Sequence, residues 1–349
     1  MQIGIDSFIT SSLPQSQWGA QSDARRVREF LEEVELADRI GLDVYGVGEH
    51  HRPEFIASSP AVLLAAAAAR TKNIRLVSAV SVLSSDDPIR LYQQFATLDL
   101  ISGGRAEIIV GRGSFIESYP LFGFDLSDYD SLFVEKLDLL LKARASASVH
   151  WSGQHRPPLK GEGVYPRALQ EPLPVRIGVG GTPESFARAG TLGLPLIVAI
   201  IGGEAHRFRP LVDLYREAGR RAGHAPETLT VGMHSIGYVA DTTQQAADEF
   251  YPYYEDTFSR LGRERGWGPT SRAQYDAVRG PSGALLVGDP ETVAAKILRA
   301  SEALGGLTRV TIGVNGGEKL PHDKVMRCIE LIGTRLAPLL RTELGVAGA

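Results

Sequence analysis

Cysteine is almost missing from this chain: 349 residues include one, Cys328, alongside three methionines and three tryptophans. A lone thiol excludes an internal disulfide and fits a reducing compartment, so a cytoplasmic location is expected. Its helical neighbours Val325, Ile329 and Ile332 put Cys328 on an apolar helix face, where a thiol packs as a small hydrophobe. Long apolar runs are also lacking. LPLIVAIIGG is among the longest and falls far short of the roughly 20 residues of a membrane span. The opening MQIGIDSF has no basic leader and enters a strand pattern at once, which argues against a secretion signal. There is no excess of positive charge: the net charge is −4, so nucleic acid and anionic membranes are not expected partners. Internal repeats and low-complexity tracts are absent. With 43 % hydrophobic and 22 % charged residues, the composition is that of a soluble globular protein.

What is present is a regular alternation of strand and helix. Strand patterns occupy residues 2–8, 43–50, 74–82, 105–113, 174–181, 194–201, 229–240 and 308–315. Helical periodicity occupies 24–40, 60–71, 88–101, 130–144, 183–192, 207–222, a region after 240, and 321–343. Residues 24–40 line up Val27, Leu31, Val34, Ala37 and Ile40 on one stripe, and Gly41 then ends that helix. Several strands are apolar on both faces, as a parallel sheet covered by helices requires. Eight βα units with no linker between halves predict one closed (β/α)8 barrel, a single domain over 1–349. A doubly wound open sheet is the alternative topology. Two segments, 145–173 and 241–290, are long for βα connections and are expected to be insertions serving as binding loops or a lid, or as plain decoration.

In such a barrel the chemistry sits at the C-terminal ends of the strands. One strand ends in Asp6-Ser7-Phe8, the next in Glu49-His50-His51, and the last in Asn315-Gly316-Gly317. The turn Gly180-Gly181-Thr182-Pro183-Glu184-Ser185 opens a helix. Backbone N–H groups there can approach an anion of phosphate size, and Thr182 and Ser185 can donate hydroxyls. The same residues also suit an ordinary N-cap. Arg112, between Gly111 and Gly113, offers a matching positive charge or a salt bridge to Glu107 or Glu117. Neighbouring residues on a strand face opposite ways, so His50 and His51 cannot share one metal. His206, His224, His234 and His322 form no ligand spacing either, and a metal is not expected. One histidine of the pair as acid or base, with Glu49 orienting it or its neighbour, competes with a purely structural role.

Three stretches carry a further signal: GLDVYGVGEHH (41–51), DPIR with LDLISGGR (87–105) leading to GRG (111–113), and IGVGGTPESFARAGTLGLPLIVAI (177–200). Together they resemble the bacterial luciferase-like flavin monooxygenases, in order from the first strand to about residue 215 and again over 285–345. The resemblance implies a single barrel that binds FMN, reduced by a separate flavin reductase, and uses O₂ to oxidise a small organic substrate. It implies that His50 is the catalytic histidine, as a base or as a polar partner of the activated oxygen, with Glu49 orienting a histidine. Arg112 and the Gly180, Gly181, Thr182 and Ser185 turn match the positions that hold the FMN phosphate. Ala79–Val80 matches a non-proline cis peptide under the flavin ring, with Ser81 at the ring edge. The 241–290 loop would close over the site and exclude water. The two insertions do not match the luciferase subunit closely, so neither light emission nor a long-chain aldehyde is implied. Some relatives bind a deazaflavin and transfer hydride, and others bind flavin with little catalysis. Dimers are common in the family. The small apolar helix at 60–71 suits close packing within the barrel or across a homodimer interface.

Overall fold

The fold is known from a computed structural model, which describes residues 1–343 except 12, 14, 114, 265 and 316–319. Gly316 and Gly317 therefore lie outside the described residues. The strands are β1 Gln2–Ser7, β2 Val44–Val47, β3 Arg75–Ser78, β4 Ser81–Val82, β5 Ala106–Gly111, β6 Ser148–Trp151, β7 Leu159–Gly163, β8 Val175–Val179, β9 Leu196–Ala199, β10 Val231–Val239, β11 Leu286–Gly288 and β12 Arg309–Gly313. The helices are α1 Ala20–Arg39, α2 Pro60–Ala68, α3 Pro88–Ser102, α4 Ser118–Leu121, α5 Tyr129–Ala145, α6 Pro183–Thr191, α7 Arg209–Arg221, α8 Thr243–Glu264, α9 Arg272–Arg279, α10 Pro290–Ala303, α11 His322–Leu331 and α12 Ala337–Glu343.

Parallel pairing runs β12–β1–β2–β3–β5–β8–β9–β10 and returns from β10 to β12, which closes the barrel. The expected (β/α)8 barrel is thus the observed architecture, and the open sheet is excluded. Four local features depart from the sequence reading. The second strand stops at Val47, short of residue 50, because the next N–H groups leave the sheet ladder. Glu49 N–H donates to Val80 O at 3.1 Å and His50 N–H to Ala57 O at 3.0 Å. The third strand is split into β3 and β4, and the Ala79–Val80 bond between them is cis. The 145–173 insertion contains the antiparallel β6–β7 hairpin, where Val149 and Trp151 alternate inward and Trp151 Nε1–H donates to Asp138 at 3.0 Å. Helix α10, which the periodicity left unassigned, starts at Asp289, whose side chain accepts from Thr292 N–H at 2.7 Å.

Inside the barrel the side chains form layers. At the floor, Arg309 lies bidentate on Glu107, with Nη2 at 3.0 Å, while Arg176 Nε–H donates to the same carboxylate at 2.9 Å. Arg309 is also held by Gln2 Oε1 at 2.8–2.9 Å. Above this floor Val44, Val77, Ile109 and Ile197 make a small apolar layer, packed against Val80. Toward the C-terminal ends of the strands Gly46, Ala79, Gly111, Gly178 and Ala199 line the barrel interior. A Cβ at Gly111 or Gly178 would meet Val80 at 2.6–2.7 Å, so these glycines are a socket for Val80. Small side chains at this height leave a cavity at the top, whereas the outer faces of the strands pack against the helices in the main core.

The motif residues that suggested the family mostly serve this framework. Asp87 caps α3, accepting from Ile89 N–H at 2.9 Å and Arg90 N–H at 3.0 Å. Buried Asp99 accepts from Ala106 N–H and from Gln170. Arg105 donates to the carbonyls of Ala68, Thr71 and Ile74, satisfying the end of α2.

Removing Arg309 leaves buried Glu107 with Arg176 as its remaining arginine partner, and weakening such a buried cluster costs up to about 3–5 kcal/mol. Arg309→Met is expected to lose that amount in denaturant titration. Arg335→Met, which removes a half-exposed pair with Glu291, is expected to lose less than about 1 kcal/mol. Equal losses for the two would mean that the floor cluster carries no special weight.

Candidate active site

The cavity at the C-terminal mouth of the barrel has a volume of about 560 Å³, within the range of small-ligand sites. Glu49, His50, Ala79, Val80, Arg112, Gly180, Thr182 and Ser185 all line it. Ser81 is buried on β4, and neither it nor Gly181 is part of the wall. The sequence therefore brought eight of its ten candidates to one cavity.

Arg112 stands at the end of β5 over the ring of Tyr129, its guanidinium carbon 5.1 Å from the centroid. It donates to Asp130 at 2.5 Å and to Thr182 Oγ1 at 3.1 Å. The alternatives offered by the sequence are filled otherwise: Glu107 is in the barrel floor and Glu117 pairs with Arg52 at 2.9 Å. Thr182 is the N-cap residue of α6, yet its side chain makes no capping bond. The N-terminus of α6 thus has no side-chain cap and lies beside an arginine, two hydroxyls and two glycines; Pro183 has no N–H, and that of Ser185 donates to Thr182 O at 3.0 Å. A Cβ at Gly180 or Gly181 would meet nothing within 4 Å.

The opposite wall is aromatic. His50 sits among Phe8, Phe55 and Phe115, with ring centroids 4.4, 4.5 and 4.9 Å away. Phe8 is fixed in turn by Asn315, whose Oδ1 accepts its N–H at 2.8 Å. Among the described residues no group is hydrogen-bonded to the His50 ring, so its nitrogens are left for a ligand. Burial pushes the His50 pKa down to about 4, with His51 and Arg52 adding repulsion. The imidazole is therefore neutral at physiological pH, a donor and acceptor at once rather than a cation. His51 also lines the cavity, but its ring is committed to other groups. Its Nε2 meets Glu49 Oε1 at 2.8 Å and its ring lies edge-on to Phe122. Glu49 also accepts from Val82 N–H at 2.8 Å, so it orients His51 and ties β2 to β4.

Two parts of this site were incomplete or missing in the sequence reading. One is the roof: the resemblance put the 241–290 segment over the site without naming its residues, and Tyr253, Thr257, Phe258 and Leu261 share a face of α8 and line the cavity, with Trp267 beyond them. Arg52 fastens this roof through Glu264 at 2.5 and 2.8 Å. The i, i+4, i+5, i+8 spacing of those apolar residues was visible, but not what they covered. The other is Asp6 with His234, inward-facing residues of β1 and β10. They meet at 2.8 Å and both line the cavity. Strand phase alone marks each as inward, but their pairing depends on register across β12. The remaining titratable residue of early interest, Cys328, is buried on α11. Its Sγ accepts Val239 N–H at 3.2 Å, and burial pushes its thiol up to about 12. No described helix is long and apolar enough to cross a membrane.

His50 supplies a direct check. Its ordinary value is 6.5 and its folded value about 4, so between these the unfolded chain binds a proton that the folded chain refuses. The contribution of this group to stability is constant above about pH 6.5 and falls as the pH is lowered toward 4. Histidine NMR should find His50 titrating near pH 4. A midpoint near 6.5 would mean that the aromatic wall does not exclude water.

Three likenesses to known proteins accompany this geometry. The luciferase-like monooxygenase family matches residues 7–307. An uncharacterized protein of Sinorhizobium fredii is 32 % identical over 194 residues, 55 % of this chain and 56 % of that protein's length. Among solved structures, monooxygenase RslO1 of Streptomyces bottropensis superposes with a TM-score of 0.85 at 25 % identity, covering 97 % of this chain and 99 % of the other. The oxygenating constituent of 3,6-diketocamphane monooxygenase from a Pseudomonas putida plasmid, a type II Baeyer–Villiger enzyme in complex with FMN, superposes at 0.77 with 20 % identity, covering 97 % and 98 %.

Proposed function

The chain belongs to the luciferase-like monooxygenase family and is a flavin-dependent monooxygenase, and from that premise we propose that it is an oxygenase fed with reduced FMN by a separate reductase. The observation that carries the cofactor reading is the far end of the cavity. An uncapped helix N-terminus, Arg112, Thr182 and Ser185 converge there around glycines with open space above them. This is the donor set that a phosphate monoester needs. Arg112 would exchange exposed Asp130 for the phosphate, and Thr182 would turn its hydroxyl to it. Ala79 and Val80 would support the ring system from below.

When bound, reduced FMN supplies the two electrons with which one atom of O₂ enters the substrate and the other leaves as water. The chain supplies the surroundings. Neutral His50, with no hydrogen-bond partner on its ring among the described residues, offers a hydrogen bond or accepts a proton beside the reacting group. Phe8, Phe55 and Phe115 exclude water from one side, and the α8 face from above. The wall of phenylalanines and the apolar roof suit a small, largely apolar organic substrate. The same reading carries a homodimer, for which exposed Val62 on α2 offers an apolar contact.

Titration of the apoprotein with reduced FMN, FMN and a deazaflavin, followed by admission of O₂, tests the function. Tight binding of reduced FMN with O₂ consumption is expected. Preference for the deazaflavin without O₂ uptake would move the protein to hydride transfer. Arg112→Ala is expected to weaken FMN by roughly 10- to 150-fold, the worth of a charged hydrogen bond, and to leave riboflavin unchanged. Equal loss for both would sink the phosphate assignment. His50→Ala should abolish most substrate oxidation while flavin affinity stays similar; unchanged turnover would make His50 structural.

A further inference from the structure

The cavity is also lined by His234, which the proposed chemistry above does not use. His234 projects inward from β10, and its Nδ1 meets Asp6 Oδ2 of β1 at 2.8 Å. These strands are not neighbours; β12 lies between them, with Thr311 opposite His234 and Gly313 opposite Asp6. The pair needs the glycine: a Cβ at Gly313 would come within 3.0 Å of His234 Cε1 and 3.3 Å of Asp6 Oδ1. Asp6 is 2 % exposed, and its Oδ1 has no hydrogen-bond partner among the described residues. Among the described residues His234 is therefore the group whose hydrogen bond compensates this buried carboxylate. Burial opposes charge on His234, but the Asp6 carboxylate outweighs it and the net shift is upward. Asp6 is the charged group that acts on this ring. With Nδ1 committed to Asp6, the other edge of the imidazole remains. Nε2 has no protein partner among the described residues, and it is not among the buried unpaired atoms, so it faces the cavity that His234 lines.

A purely structural ion pair would not need an open donor edge on the wall of a ligand cavity. Nor would it follow that His50 and His234 are driven in opposite directions, His50 to neutrality by burial among phenylalanines and His234 upward by a carboxylate. We propose that His234, held by Asp6 as its positioning residue, is the substrate-oxygen site of the cavity, its Nε2–H donating to a carbonyl, phenolate or enolate oxygen. Resting on the monooxygenase reading, this narrows the substrate class to apolar molecules with one electron-rich oxygen and excludes plain hydrocarbons. The shared chemistry is acceptance of a charge-assisted hydrogen bond. A carbonyl would be polarised by it and a phenolate held ionised.

The test uses the full chain without flavin. Two shape-matched probes are 4-nitrophenol, whose visible band reports its ionisation, and nitrobenzene, which lacks the oxygen; 4-nitroacetophenone adds the carbonyl arm. The wild type is expected to bind 4-nitrophenolate or 4-nitroacetophenone roughly 10- to 100-fold more tightly than nitrobenzene. His234→Gln should remove that preference and Asp6→Asn should reduce it, with nitrobenzene affinity kept as the sign that both variants are folded. Arg112→Ala, which removes a cation elsewhere on the wall, should retain the preference. Histidine NMR should show the His234 midpoint falling in Asp6→Asn. Which oxygen probe wins distinguishes a phenolate or enolate substrate from a carbonyl one. The proposal is overturned if neither oxygen probe binds better than nitrobenzene, or if the preference survives His234→Gln. Because no arm contains flavin, such a result leaves the FMN reading standing. Conversely, failure of reduced FMN to bind would not touch the probe result.

Discussion

Everything above the barrel floor depends on one buried carboxylate, Glu107, shared by Arg309 and Arg176. Burial alone would push Glu107 upward, but the two arginines outweigh it and hold it below its ordinary value. Desolvating three charges is expensive, and a hydrophobic plug could have filled the same volume. What the ionic plug adds is direction. Planar guanidinium groups on β8 and β12 reach one acceptor on β5, with Gln2 of β1 as a further contact. The relative heights of these strands are thereby set at the bottom. The apolar layer of Val44, Val77, Ile109 and Ile197 sits on this plug, and the glycine and alanine layer sits on that. The cavity exists because side-chain volume is spent low in the barrel and withheld high in it.

The same sharing of volume explains how one cavity can hold groups of different electrostatic character. At the β2 end the neighbours of His50 are three phenylalanines, and the histidine loses its charge. At the β1–β10 side the Asp6 carboxylate, with one buried oxygen left unpaired among the described residues, faces His234 and draws the pKa of that histidine upward. Between them the β5 and β8 ends bring a fixed cation to a helix N-terminus. An apolar roof covers all three. Water would level these differences, since in a high-dielectric medium neither the phenylalanines nor the carboxylate would shift a pKa far. The α8 roof, fastened by Arg52 to Glu264, is thus an electrostatic component of the site as well as a steric one.

The alternation of strand and helix was legible in the sequence because each barrel strand carries its own turn signal and each helix its own periodicity. His50 and Arg112 were legible because polar residues after an apolar strand are conspicuous. The resemblance carried them further, including the cis bond at Ala79–Val80. Less legible was what the most recognisable motifs do. DPIR and LDLISGGR read as functional, yet Asp87 caps a helix, Asp99 accepts from Ala106 and Gln170 N–H groups, and Arg105 satisfies carbonyls, all away from the cavity. The Asp6–His234 pair was illegible for a different reason. The two residues are separated by 228 positions, and their meeting follows from closure of the barrel and from a glycine on the strand between them. The β6–β7 hairpin was hidden by its prolines and glycines, although Val149 and Trp151 alternate as a strand should.

These failures share a cause. Local signals report the height of a residue in its own strand, whereas chemistry in a closed barrel depends on which residues meet across strands at equal height. Register supplies that information, and here register is fixed by Glu107 and its two arginines at the opposite end of the barrel. A shift of one residue in β1 or β10 would turn Asp6 or His234 outward and leave its partner's charge buried in an apolar cavity. The pair at the top and the cluster at the bottom therefore constrain the same strands, β1 and β12 among them, from both ends. The inward side chains between those ends have no freedom to slip, and the phenylalanines, the cation and the helix terminus keep the relative positions that a cofactor and a substrate must find together.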